Sequence, residues 1–275
     1  MEYVEVKTSE KVLLHGFYSG KNNNECIIYI HGLGADFESS VLPKSILEKC
    51  NKNSIDFLYA NTQGSSLMRE IMTSEGTTIN GGAAYENYNN WYQDLDAWFK
   101  FLKKYKKIIV VSHSLGCNKI IDYMHKTKNN KVSKIFLLAP QDTNYLVNIK
   151  KHNGMLQEAL ENKKNGNNNL ISKMFLGFCY LSTNTFLDFY ENKKINNIPY
   201  MSTKDYSIIN SIKIPIKIYI GSNDKKIELD KYFDKLIKEC KNIDYKIIKD
   251  ANHNFKSKEK ILANLIINEI KKELV

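Results

Sequence analysis

The chain has 275 residues, 43% hydrophobic and 11% aromatic, which suits one domain with a well-filled core, or one domain carrying an insertion. Its net charge of +10 comes from lysines scattered in ones and twos, and Arg69 is the single arginine. No arginine-rich helix or aromatic-interleaved basic stripe exists, so no nucleic-acid partner is expected. No stretch approaches the ~18 consecutive apolar residues of a membrane span.

Met1 to Lys7 alternates like a strand and lacks the basic start and apolar run of a secretory signal. Cys26, Cys50, Cys117, Cys179 and Cys240 are odd in number and scattered, with no C-x-x-C spacing, and read as free thiols of a reducing compartment. A cytoplasmic location is expected.

Tyr3–Lys7 and Val12–Tyr18 read as two antiparallel strands, and Cys26–Ile30 as an apolar strand buried on both faces. That strand runs into His31-Gly32-Leu33-Gly34. Ser45–Cys50 is helical, Ile55–Tyr59 is a strand, and Asn61–Asn90 is a long polar segment. Trp91, Leu95, Trp98, Phe99 and Leu102 then recur at the spacing of an amphipathic helix.

Ile108–Val111 is a run of β-branched residues, and Ser112-His113-Ser114-Leu115-Gly116 follows with helical spacing after it. A strand that turns this sharply into a helix lifts one serine onto a strained corner above the helix N-terminus, where negative charge is stabilised. Ser114 is therefore the candidate nucleophile. Ser112 stands where glycine is commoner, and Cys117 and His113 read as packing and structural residues.

Lys134–Ala139 is another buried strand. The alternation then stops over 141–211, where helical patches at Met155–Leu160, Leu170–Tyr180 and Thr185–Tyr190 carry many aromatics. An insertion here sits over the carboxyl edge of the sheet, where open α/β sheets bind ligands. It reads as a helical lid on a core made of 1–140 and 212–275, with Phe178 and Phe186 as substrate contacts. Strands at Ile214–Ile220 and Tyr245–Ile248 alternate with helices at Leu229–Cys240 and Lys258–Leu274. The whole implies a mostly parallel, twisted sheet with helices on both faces.

A nucleophilic serine needs a base, and the base an orienting acid. Asp224 follows the Ile214–Ile220 strand and His253 follows Tyr245–Ile248, so Ser114, Asp224 and His253 come in order, each beyond a strand's carboxyl end. Asp142, after Lys134–Ala139, is a rival acid. The backbone N–H groups of Leu33 and Leu115 are the candidate oxyanion donors, with His31 beside them as a substrate-side residue. The Gly32–Phe37 stretch puts Phe37 where a dinucleotide fingerprint needs its third glycine. His15, His31, His113, His125, His152 and His253 have no metal-binding spacing, so neither metal nor cofactor is expected.

These motifs resemble the α/β-hydrolase superfamily over nearly the whole chain. More narrowly, Gly82-Ala83-Ala84-Tyr85-Glu86 with Asp94-Leu95-Asp96-Ala97-Trp98 resembles the DUF1749-like branch, which includes siderophore esterases. The resemblance implies an α/β-hydrolase fold and a serine hydrolase that cleaves an ester, thioester or lactone of a small acyl substrate. Two alternatives stand beside it: an acyltransferase using the same acyl-enzyme, and a non-catalytic small-ligand-binding protein.

Overall fold

In the computed structural model, which describes residues 1–21, 23–149, 154–202, 205–224 and 232–272, the chain opens with two alternating strands, β1 (Glu2–Lys7) and β2 (Leu13–Ser19). They pair antiparallel, with every second residue of β2 buried. β3 (Glu25–Ile30) and β4 (Asp56–Ala60) are buried almost throughout, as parallel strands covered on both faces must be. α1 (Val41–Lys52) joins them. The expected polar segment that follows contains a small antiparallel pair, β5 (Arg69–Met72) and β6 (Thr78–Gly81), which the sequence reading did not foresee.

Next come α2 (Trp91–Phe101), β7 (Lys107–His113), α3 (Leu115–Thr127) and β8 (Val132–Leu138). Two helices follow in the 141–211 stretch, α4 (Met155–Lys164) and α5 (Thr183–Glu191), and then the short α6 (Ser207–Asn210). The chain closes with β9 (Ile216–Gly221), α7 (Tyr232–Glu239), β10 (Ile243–Ile248) and α8 (Glu259–Lys271). Leu229, Leu274 and His152 lie outside the described residues.

The eight-stranded sheet has the order β1-β2-β4-β3-β7-β8-β9-β10, parallel from β4 to β10. From β3 the chain steps one way to β4 and then back across to β7. Right-handed crossovers in opposite directions put α1 and α2 on opposite faces. β3 and β7 are thus neighbours at the switch point of the strand order, where open sheets of this kind place their ligand crevice.

The stretch 141–211 divides in two. Met155, Ile171, Phe175, Phe186, Phe189 and their neighbours form a second apolar cluster with Ala83, Tyr88, Trp91 and Leu115. Ile198, Tyr200, Ile209 and Ile212 belong to the main core beneath. Leu170–Tyr180 is not the expected helix. Bridges Leu170–Ser182 and Phe175–Cys179 fold it into a tight hairpin, turned by Leu176 and Gly177 at φ of 53° and 76°, values outside the right-handed helix. Among the described residues no helix is long and apolar enough to cross a membrane.

Candidate active site

Ile108 to Val111 are 0–3% exposed, which locks β7 into the middle of the sheet. Ser114 follows at φ 53° and ψ −124°, a conformation that costs a non-glycine residue about 1–3 kcal/mol and that the surrounding packing must hold. Its N–H donates to Leu138 O at 2.8 Å, while Cys117 N–H donates to Ser114 O at 3.0 Å. At Gly116 a side chain is impossible, since a Cβ would stand 2.5 Å from the carbonyl oxygens of both Ile30 and His31. Ser112 is accommodated because it is small and buried, with its hydroxyl donating to Phe136 O at 3.2 Å. Cys117 is fully buried, and burial pushes its thiol up to about 12, which removes the thiolate a second nucleophile would need.

Two loops deliver the partners of Ser114. Asn223 N–H donates to Ala251 O at 2.8 Å and Asp250 N–H to Ser222 Oγ at 2.8 Å, which ties the loop after β9 to the loop after β10. His253 Nε2 lies 3.0 Å from Ser114 Oγ, and His253 Nδ1 lies 2.7 Å from Asp224 Oδ2. Asp224's side chain is fully buried and His253's is 11% exposed. His113 Nε2–H donates to the His253 carbonyl at 2.9 Å, so it steadies the histidine loop.

Asp142 is oriented elsewhere. Its carboxylate accepts from Tyr145 N–H, Met201 N–H, Ser202 N–H and Ser202 Oγ at 2.7–2.9 Å. The rival acid is a buried anchor for the chain returning from 141–211.

The loop after β3 stands directly beside Ser114: a Cβ on Gly32 would be 2.8 Å from Ser114 Cβ. Ala35 N–H donates to Gly32 O at 3.4 Å, closing a turn whose third residue, Gly34, takes φ +65°. Only that residue of the central pair has positive φ, the pattern of a type II turn. Leu33 and Leu115 both face the cavity in front of Ser114. As the first residue of α3, Leu115 has an N–H that no carbonyl of its own helix accepts.

His31 borders the cavity in front of Ser114, and its ring is held by the protein. It is 1% exposed and both ring nitrogens are engaged by the protein. Nδ1–H donates to Gly32 O at 2.7 Å, and Nε2 is approached by Thr62 N–H, Thr62 Oγ1 and Ser65 Oγ at 2.9–3.1 Å. Burial, with the Lys119 ammonium nearby, lowers its pKa to about 3, so the ring is neutral.

A family model described as serine hydrolase matches residues 79–173, the stretch that carries β7, Ser114 and α3. Among solved structures, Est1E from Butyrivibrio proteoclasticus with ferulic acid bound is similar at TM-score 0.70 and 14% identity, covering 98% of this chain and 99% of that one. The Pyrococcus furiosus esterase Pf2001 gives TM-score 0.63 and 16% identity, with 100% and 91% covered. Mouse alpha/beta hydrolase domain-containing protein 10 gives 0.66 and 14%, with 99% of each chain covered. No curated protein matches the sequence. The chain has the α/β-hydrolase fold. These likenesses stop at that level and do not reach the narrower DUF1749-like branch.

A cavity of about 710 Å³ opens in front of Ser114. Leu33, Leu115, Leu146, Phe175, Leu176 and Phe178 give it an apolar wall, while Asp36, Ser39, Asn252, Asn254, Lys256 and Glu259 line polar parts. Phe178 lines the cavity and is 37% exposed. Phe186 does not line it. It is 1% exposed and packs edge-on against Phe175, because α5 turns that side toward the second apolar cluster.

The sequence reading missed the groups behind His31: Thr62, Ser65, and Lys119 with Glu86. A lysine on the inward side of a helix, five residues past Ser114, was the available signal.

Proposed function

We propose that the protein is a serine esterase that cleaves a carboxylic ester through an acyl-enzyme. The observation that supports this most directly is the unbroken hydrogen-bonded series from Asp224 through His253 to Ser114 Oγ, ending at the cavity. Ser114 Oγ attacks the ester carbonyl while His253 Nε2 takes its proton. Asp224 holds the ring with its proton on Nδ1 and stabilises the imidazolium. The negative oxygen of the tetrahedral intermediate is met by the N–H groups of Leu33 and Leu115, each worth roughly 3 kcal/mol. Collapse expels the alcohol with the proton from His253. Water, deprotonated by the same nitrogen, then releases the acid.

The part of 141–211 that packs with Trp91 and Leu115 acts as a lid whose Phe175, Leu176 and Phe178 receive the acyl or aryl part of the substrate. The ferulic acid bound in Est1E supports an aromatic acid as one group that fits such a wall. Thioesters and lactones present the same carbonyl to Ser114 and are further candidates. The test is labelling with a fluorophosphonate, peptide mapping, and turnover of p-nitrophenyl esters. The expected result is a single adduct on Ser114 and hydrolysis that the label abolishes. Turnover that survives full labelling would remove Ser114 from the chemistry.

A further inference from the structure

Behind the catalytic face lies an ion pair that folding alone does not explain. Lys119 Nζ contacts Glu86 with their side chains 0% and 1% exposed. Taking both charges out of water is expensive, and well-packed apolar residues of similar size are often as stable or more so. Lys119 has a second partner, Thr62 Oγ1 at 3.0 Å, and its ammonium stands 5.8 Å from the centre of the Trp91 ring.

The direction of each proton follows. An ammonium only donates, so Thr62 Oγ1 accepts from Lys119 and turns its own proton toward His31 Nε2 at 3.0 Å. Thr62 N–H is divided between His31 Nε2 and Ser65 Oγ, each at 3.1 Å, and the Ser65 hydroxyl has Asn61 Oδ1 within 3.0 Å. The Thr62 hydroxyl is therefore the undivided donor to the ring. With Nε2 accepting, the ring's single proton sits on Nδ1 and goes to Gly32 O at 2.7 Å, shorter than the 3.4 Å bond the same carbonyl accepts from Ala35. The Gly32 carbonyl and the Leu33 N–H belong to one planar trans peptide and point in opposite directions. Whatever fixes the first aims the second.

We infer that Lys119, held by Glu86, is a positioning residue that acts through Thr62 and His31 to fix the Gly32–Leu33 peptide and so aim the Leu33 N–H at the substrate oxyanion. Without the ammonium, the Thr62 hydroxyl is free to turn its proton away from Nε2, and only the divided Thr62 N–H then holds the imidazole against carrying its proton there. Nδ1 then presents a lone pair to the Gly32 carbonyl, which repels it and rotates the peptide. The lid is connected to the same point, since Thr185 Oγ1 on α5 donates to the Glu86 carbonyl at 3.1 Å. The inference rests on the esterase reading for its kinetic part only.

Two variants test it in the full-length protein. Thr62→Val removes the linking hydroxyl and leaves the ion pair in place. Lys119→Met with Glu86→Gln removes both charges together, so that no lone buried charge unfolds the chain. Both are compared with wild type in kcat and KM on a p-nitrophenyl ester, and by ¹⁵N resonances of the His31 ring in histidine-labelled protein. The expected result is a wild-type ring protonated on Nδ1, and variants with mixed tautomers whose kcat falls about 10- to 100-fold at nearly constant KM. A full oxyanion donor is worth ~10²–10³, and a misaimed one loses part of that. A ring that keeps its Nδ1 proton in both variants, or a kcat within twofold of wild type, overturns the inference. If the double variant does not fold, Thr62→Val decides alone. Wild-type protein that neither turns over an ester nor takes up the fluorophosphonate would sink the esterase reading, while the tautomer measurement, which needs no substrate, still judges the role of Lys119.

Discussion

His253 Nδ1 stands 2.7 Å from Asp224 Oδ2, whereas the carboxylate of Asp142 is spent on the backbone N–H groups of Met201 and Ser202. Two acids placed alike in the chain, each just beyond a strand end, thus meet different partners. Asp224→Asn is expected to lower kcat by ~10⁴, because the amide favours the wrong imidazole tautomer. Asp142→Asn is expected to keep kcat near wild type and to lower stability by about 2–4 kcal/mol, since the amide leaves donors of the 201–202 backbone facing an N–H₂. Steady-state kinetics and urea unfolding on the two variants read this out. A larger kcat loss for Asp142→Asn would reverse the assignment.

The corner at Ser114 should give up stability for position. Its φ of 53° is strained for any residue with a side chain. Ser114→Gly is expected to abolish ester turnover yet unfold at a higher temperature than wild type, by an amount corresponding to about 1 kcal/mol. An unchanged or lower melting temperature would show that the packing around the corner, rather than its dihedral angles, sets the local energy.

Asp94 supplies a pH test. It is 1% exposed and accepts from Gln63 N–H and Nε2, both at 2.8 Å. Burial raises its pKa to about 7. The folded chain therefore holds this proton over a range, from about pH 4 to about pH 7, in which the unfolded chain has lost it, and stability falls as pH rises through that range. The accumulated cost is on the order of 4 kcal/mol. His31 acts in the opposite sense. Its pKa is lowered to about 3, so acid is taken up by the unfolded chain first and stability is lost as pH falls below about 6.5. Asp94→Asn removes one of the two opposing slopes. Its unfolding free energy is expected to gain on wild type by about 1.4 kcal/mol per pH unit between pH 4 and 7. A difference independent of pH would mean that Asp94 is ionised in the folded protein.

What could be read in advance was local or ordered. The Ile108–Val111 run, the small residues around Ser114, and the order of Ser114, Asp224 and His253 at three strand ends needed no knowledge of distant contacts. β5 and β6 were missed because Arg69–Met72 and Thr78–Gly81 are short, mixed in polarity and set among glycines and serines. The apolar spacing of Leu170–Tyr180 fits a helix and a hairpin alike. Only the positive φ of Leu176 and Gly177 separates them, and Leu176 gives no hint of it. Lys119 and Glu86 look like surface charges until α3 and the Glu86 loop are brought together, because their separation along the chain hides that they are buried as a pair.

Phe178 and Phe186, paired in the sequence reading, part company in three dimensions. Phe178 sits on the cavity wall at 37% exposure, so shortening it enlarges the space offered to the acyl group and removes little packing. Phe186 is 1% exposed within the cluster around Phe175, so shortening it opens a void in that cluster. An apolar wall discriminates by roughly 1–3 kcal/mol per methylene misfit, which re-ranks substrates without silencing the enzyme. On p-nitrophenyl esters from acetate to decanoate, Phe178→Ala is expected to move the preferred chain length upward, with kcat on acetate close to wild type. Phe186→Ala is expected to cost about 3–5 kcal/mol of stability and to keep the wild-type ranking. If Phe178→Ala leaves the ranking untouched while Phe186→Ala shifts it, the acyl group lies in the second apolar cluster and the cavity wall described here is not its site.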